Sequence, residues 1–248
     1  MKSLPFLIAA TIALVSATPP GIPPLSTAQT ALSSLPIRKT TTTSTPGYDR
    51  ALFPHWKTHS GPCNTREYVL VRDGTNVLTN ATTCGATAGT WLSPYDNKTW
   101  TRVSDVDIDH MVPLSNAWAS GADTWSTKQR EGFANDVEGP QLWVVTDNVN
   151  QAKGDKSPDL WRPEVEGFWC VYAKSWVAVK RKWALSVTEA EKSALEGMMG
   201  GCREGGGGNG TTEGGGAVGS GAGRGLMGPG WGMLVSVWFV LHLGEVLG

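Results

Sequence analysis

Asp105-Val106-Asp107-Ile108-Asp109-His110-Met111-Val112-Pro113-Leu114 alternates carboxylates with apolar side chains, the period of a half-buried strand. The alternation reaches back to Val103, so a strand is expected over Val103 to Ile108. Pairing should stop near Met111, because Pro113 has no N–H to give to a ladder. Downstream, Leu142-Trp143-Val144-Val145-Thr146 is the next clear strand. Asp147 can then cap a helix that begins at Asn148 and carries Asn150 and Lys153 about one turn apart, weakened early by Gly154. Upstream, Glu67-Tyr68-Val69-Leu70-Val71-Arg72 reads as a strand closed by an Asp73-Gly74 turn, with Val77-Leu78 opening its partner. Ser115 to Ala119 and Thr127 to Ala134 look helical. Thr188-Glu189-Ala190-Glu191 is a capping box that opens a helix through Met198 and Met199, with Gly200-Gly201 as its stop. The class is therefore α+β, several helices around a small antiparallel element.

The ends of the chain differ from its middle. Lys2 precedes an apolar run from Leu4 to Val15, and Val15-Ser16-Ala17 offers small residues for cleavage. Residues 1–17 are thus expected to be a secretory signal peptide, too short to span a bilayer. Residues 18–47 are rich in Pro, Ser and Thr and are expected to be a flexible, disordered leader. Residues 48–202 are long enough for one domain with its own core. Residues 203–225 read as a Gly-rich linker. Residues 226–248 form an apolar tail, read either as a GPI-anchor signal, with Asn209, Gly210, Ser220 and Gly221 as attachment points, or as an unstructured end. The protein is expected outside the cell, free or GPI-anchored at its surface.

Export suits the four cysteines. Three pairings are open to Cys63, Cys84, Cys170 and Cys202, and sequence does not choose among them. The favoured pairing is Cys63–Cys84 with Cys170–Cys202, which staples both flanks of the central motif without crossing it. A zinc site has little support, since no CxxC or HxxxH spacing occurs. Asn80, Asn97 and Asn209 open glycosylation tripeptides.

A formal charge of −1 gives no general attraction to nucleic acid, so any phosphate-binding surface must be local. Lys174, Lys180, Arg181 and Lys182 make one candidate patch, with a solvated helix face as the blander alternative. No Gly-x-Ser-x-Gly elbow supports a serine hydrolase, and nothing resembles a base-reading helix. The chemistry gathers instead around Asp109-His110 and the segment from Asp147 to Lys156, dense in amides, lysines and carboxylates. Together they hold a proton acceptor, oxygen ligands for a hard cation and positive charge for a phosphate. Those are the requirements of metal-assisted phosphodiester hydrolysis.

A run of motifs narrows this further. Tyr48-Asp49-Arg50, Thr65-Arg66-Glu67-Tyr68-Val69-Leu70, Asp107-Ile108-Asp109-His110-Met111-Val112-Pro113-Leu114, Ala117-Trp118-Ala119-Ser120-Gly121-Ala122, Phe133-Ala134-Asn135-Asp136 and Asn150-Gln151-Ala152-Lys153-Gly154-Asp155 follow in order. Over residues 48–202 the chain resembles the secreted HNH-endonuclease family related to the C-terminal domain of GmrSD-type restriction enzymes. The resemblance implies a ββα-metal (HNH/His-Me finger) core with additional helices and a small antiparallel sheet. It implies His110 as general base, Asp109 and Asn150 as metal ligands, and Lys153 as a phosphate-holding cation. Gln141 falls at the family's central asparagine, which bridges the inter-strand loop, and is one methylene longer. Asp107 and Arg130 are supporting residues. The cofactor implied is Mg2+ or another divalent cation such as Mn2+. The substrate is nucleic acid, DNA ahead of RNA, cut with little sequence specificity by a monomer. The alternative is a non-catalytic secreted or cell-surface scaffold on the same fold.

Overall fold

The computed structural model describes residues 18–38 and 47–203. The expected signal peptide, residues 39–46 of the expected leader, nearly all of the Gly-rich linker, the apolar tail and Asn209 lie outside them. The elements run α1 (Leu25–Ser34), β1 (Thr58–Ser60), β2 (Cys63–Asn64), α2 (Thr65–Asp73), β3 (Thr75–Thr79), β4 (Ala86–Leu92), β5 (Thr99–Trp100), β6 (Val106–His110), α3 (Leu114–Ala119), α4 (Thr127–Ala134), β7 (Leu142–Thr146), α5 (Asp147–Lys153), α6 (Trp169–Lys182) and α7 (Glu189–Gly200). The strands form three small antiparallel sheets, β1-β2, β3-β4-β5 and β6-β7.

The β6–β7 pair positions everything else. Its register sets Asp107 opposite Val145, Ile108 opposite Val144, Asp109 opposite Trp143 and His110 opposite Leu142. Residues facing each other across a ladder share a side of the sheet. Ile108, Leu142 and Val144 therefore enter the apolar cluster with Val69 and Leu70 of α2 and with Trp91. Trp143 and Val145 enter the larger cluster built by the helices. Strands buried on both faces explain the continuous apolar run at β7. The expected strand start at Val103 is corrected, since Val103–Asp105 is a 3-10 turn and the ladder opens at Val106.

Two expectations of element type are overturned. Glu67 to Arg72 is not a strand but the body of α2. Asn64 accepts the Glu67 N–H at 3.0 Å as N-cap, and Thr65, Val69, Leu70 and Asp73 fall on one buried helical face. Gly74 ends that helix rather than turning a hairpin. The β-branched content suggested a strand, but the cap and the core contact outweigh it. Leu25–Ser34 likewise departs from the disordered leader expected there. It is a helix that buries Ala28, Ala31 and Leu32 at i, i+3, i+4 against α6 and α7.

Elsewhere local chemistry prevails. Thr188 and Glu191 form the capping box of α7, and Ser126 and Gln129 form another on α4. Asp147 is the first residue of α5 instead of its cap, and its carboxylate accepts from Gln151 at 2.9 Å. The disulfides are Cys63–Cys84 and Cys170–Cys202, the favoured pairing. Asn80 and Asn97 are exposed. The basic patch does not exist as a patch, because Lys180 is wholly buried and Lys182 pairs with Asp136 at 2.7 Å. Among the described residues no helix is long and apolar enough to cross a membrane.

Candidate active site

His110 is the last residue of β6, and the chain leaves the sheet immediately after it. Adjacent strand residues point to opposite faces. At a strand end, however, both can reach the space beyond it. Asp109 and His110 do so, lining one cavity of about 370 Å³ with Asp107, Asn150, Asp155 and Arg50. Asn150 arrives from α5, which starts directly after β7. Asp155 arrives through Gly154, whose φ of 54° and ψ of −125° turn the chain at the helix end in a conformation few side chains tolerate.

The loop that leaves His110 is fixed by Gln141. Its amide nitrogen donates to the Val112 carbonyl at 2.9 Å and its amide oxygen accepts the Val112 N–H at 3.1 Å. Its own carbonyl accepts the Met111 N–H at 2.7 Å. These bonds join the two ends of the insertion that holds α3 and α4. Arg130, on α4, donates to the carbonyls of Leu52 at 2.9 Å and of Trp125. Asn135 ties Pro54, Lys57 and Thr65 to the same region. The segment before α2 is thereby held against the site.

The His110 imidazole is buried and oriented. Nε2 lies 2.9 Å from the Ala134 carbonyl. A carbonyl only accepts, so Nε2 carries the hydrogen and Nδ1 keeps the lone pair. Trp56 packs on the ring at 5.7 Å and His55 meets the Trp56 edge at 5.5 Å. Trp56 has a φ of 60°, an uncommon backbone for a bulky residue. Burial pushes His110 down to about 3, and the charges of Arg50, Lys153 and His55 add to it, against the opposing Ala134 bond. The ring is therefore neutral throughout the physiological range.

Asp109 is surrounded differently from the expectation of a free ligand. Its Oδ1 accepts from the Lys153 ammonium at 2.8 Å and its Oδ2 from the Tyr95 hydroxyl at 2.5 Å. Burial pushes its pKa up, opposed by Lys153 and Tyr95, and burial pushes Lys153 down, opposed by Asp109. Lys153 is neither a surface lysine nor a wall of the cavity. It is wholly buried, and its ammonium also donates to the His110 carbonyl at 2.9 Å. That corrects the phosphate-holding place expected for it. Asp107, half-exposed, accepts from the Asn150 amide nitrogen at 3.1 Å, which leaves the Asn150 oxygen free of protein donors. Asp105, the other carboxylate of the alternating run, lies outside the cavity wall.

Asp107, Asp109 and Asn150 thus line one space, with both Asp109 oxygens already accepting from Lys153 and Tyr95. Among the described residues no group of three or more His, Cys, Asp or Glu side chains forms a metal cage. A donor set of two carboxylates and an amide suits an oxygen-seeking cation that keeps several waters, and does not suit a closed zinc centre. Tyr95 and Arg50 are the groups sequence reasoning left without a role. Tyr95 carries no local signal, being an isolated aromatic fourteen residues before its partner. Arg50 stands in a quoted motif, but nothing in its neighbours points to a cavity sixty residues on.

The family model of GmrSD restriction endonucleases, C-terminal domain, matches residues 74–198. That stretch contains β6, β7, α5 and the cavity residues Asp107, Asp109, His110, Asn150 and Asp155. A protein of Arthroderma benhamiae described as an "uncharacterized secreted protein" is 58% identical over 185 residues, 75% of this chain and 89% of its own. No solved structure matches. By the reach of that family model and the closeness of the relative, the chain belongs to the family of the GmrSD restriction endonuclease C-terminal domain.

Proposed function

We propose that this protein is a secreted, divalent-metal-dependent endonuclease that hydrolyses phosphodiester bonds of nucleic acid, DNA ahead of RNA as the expected substrate, with little sequence specificity. The observation that carries this is the imidazole of His110. It is held neutral with its acceptor nitrogen defined, in a cavity shared with Asp107, Asp109 and Asn150. The β6–β7–α5 unit is read as a ββα-metal core of HNH type. The family description and the relative's description as secreted support the substrate class and the destination.

In this mechanism Nδ1 of His110 takes a proton from the water whose oxygen attacks phosphorus. The P–O3′ bond breaks, and the departing 3′ oxygen is protonated from solvent. Burial keeps His110 in its accepting form, the Ala134 carbonyl fixes its tautomer, and Trp56 fixes its plane. Asp107, Asp109 and Asn150 would hold Mg2+ or Mn2+, which when bound stabilises charge on the pentacovalent phosphorus and the leaving oxygen. Lys153 and Tyr95 fix the Asp109 carboxylate, so its oxygens are positioned before any ligand arrives. Gln141 holds the loop that closes one side.

Plasmid nicking tests this. Relaxed circles should form with Mg2+ or Mn2+, not with EDTA, and not with His110→Ala. Equal nicking by wild type and His110→Ala would remove His110 from the mechanism. A wild type inert towards DNA and RNA with either metal would leave a non-catalytic scaffold.

A further inference from the structure

We propose that the Arg50 guanidinium is the group that grips the substrate's phosphodiester in this cavity; the proposal rests on the nuclease reading above and names the residue that makes an acidic pocket accept an anion. The cavity wall carries three carboxylates, Asp107, Asp109 and Asp155, and among its lining residues Arg50 is the sole cation. A phosphodiester entering such a space meets like charge on three sides, so a bound divalent cation alone leaves repulsion from Asp155 unanswered. Lys153 cannot supply the missing charge. Its ammonium lies wholly buried and is committed to Asp109 and the His110 carbonyl. Arg50 is exposed, and no ion pair among the described residues engages it.

Its backbone is anchored, while its side chain stands beside the Tyr48 hydroxyl and pairs with no carboxylate among the described residues. Asp49 caps the 3-10 turn Arg50–Leu52 by accepting the Ala51 N–H at 2.8 Å. Arg130 holds the Leu52 carbonyl at 2.9 Å, and Phe53 is fully buried. Arg50 lines the same cavity as His110 and the oxygen-bearing side chains of Asp107 and Asn150. A guanidinium offers paired N–H groups that match two non-bridging phosphate oxygens, and so orients the phosphorus as well as attracting it. Arg50 also precedes the stretch of residues 74–198 shared with the family, so this grip comes from the segment that precedes the matched stretch.

The test uses the full chain carrying His110→Ala, which stops cleavage, and a short fluorescein-labelled DNA oligonucleotide in Mg2+. Replacing Arg50 by Gln should weaken binding roughly 10- to 100-fold. It should also lower the slope of log affinity against log salt by about one. Arg50→Lys should restore the slope but not the affinity, because the charge returns without the fork. In the otherwise wild-type chain, Arg50→Gln should raise KM and lower kcat/KM, and the lysine variant serves as the folding control. Unchanged affinity and slope in Arg50→Gln, with a wild type that cleaves, would overturn the role of Arg50 and leave the nuclease reading standing. A wild type that neither cleaves nor binds the oligonucleotide would overturn both.

Discussion

Two lysines among the described residues are wholly buried, and their surroundings differ in kind. Lys180, on α6, points among the helices, where its ammonium meets Glu191 at 3.1 Å, Asn116 at 2.5 Å, Ser120 at 3.1 Å and the Ser186 carbonyl at 2.9 Å. Glu191 is further held by Trp176 at 2.6 Å. No atom of this cage borders the candidate active site. Lys153, on α5, has only Asp109 and the His110 carbonyl, and Asp109 forms part of the cavity wall. Burying an ion pair costs desolvation that its attraction only roughly repays. At Lys180 the return is architectural, since one ammonium joins α3, α6 and α7 through four acceptors. At Lys153 the return is local, since the ammonium sets the position and charge of a carboxylate that lines the cavity.

The sharpest way to separate these roles is to remove each ammonium. Lys153→Met and Lys180→Met should each cost ~3–5 kcal/mol in urea unfolding, because each leaves a buried carboxylate uncompensated. The folded fraction of Lys180→Met should nick plasmid at the wild-type rate, whereas that of Lys153→Met should not. Adding Asp109→Leu to Lys153→Met should recover stability and not cleavage. Equal loss of nicking in both lysine variants would dissolve the distinction.

A second test uses pH, in EDTA. An unfolded histidine titrates near ~6.5, whereas folded His110 is pushed down to about 3. Between those values the unfolded chain binds the proton that the folded one refuses, so stability falls as pH falls. From pH 7.5 to pH 5 the loss assigned to His110 is ~2 kcal/mol, and it should appear as a pH-dependent difference between wild type and His110→Gln. A flat difference would mean the ring is wetter than its burial implies.

Two buried tyrosines sharpen the same contrast on a smaller scale. Tyr95 donates to Asp109, while the Tyr172 hydroxyl has no hydrogen-bond partner among the described residues. Tyr95→Phe should cost ~1–3 kcal/mol and slow cleavage, while Tyr172→Phe should be neutral or stabilising, both read by urea unfolding. Least of all, Gly154→Ala should cost ~1–2 kcal/mol, with reduced cleavage as Asp155 shifts.

What could be read from the sequence follows the range of the forces involved. The α7 capping box, the α4 span and the Asp-His strand end are settled within a few residues, and each was legible. The convergence of Asp109, His110 and Asn150 was legible through the run of motifs. The α2 segment was misread because its helical state depends on Asn64 and on a core face that forms only in the folded chain. The burial of Lys153 and Lys180 was misread for a like reason. A lysine is ordinarily solvated, and each of these two depends in part on a distant acceptor, Asp109 for Lys153 and Asn116 for Lys180, 44 and 64 residues away along the chain. Arg50 and Tyr95 reach the site from segments with no periodic or motif signal for that destination.

Neither sulfur bridge touches the candidate site: one ties β2 to the β3–β4 turn, the other fastens α6 to the segment just past α7. A reductant would therefore leave the cavity's side chains in place while loosening the elements that the bridges fasten. An oxidising destination would thus supply durability to the fold without entering the chemistry proposed for the cavity.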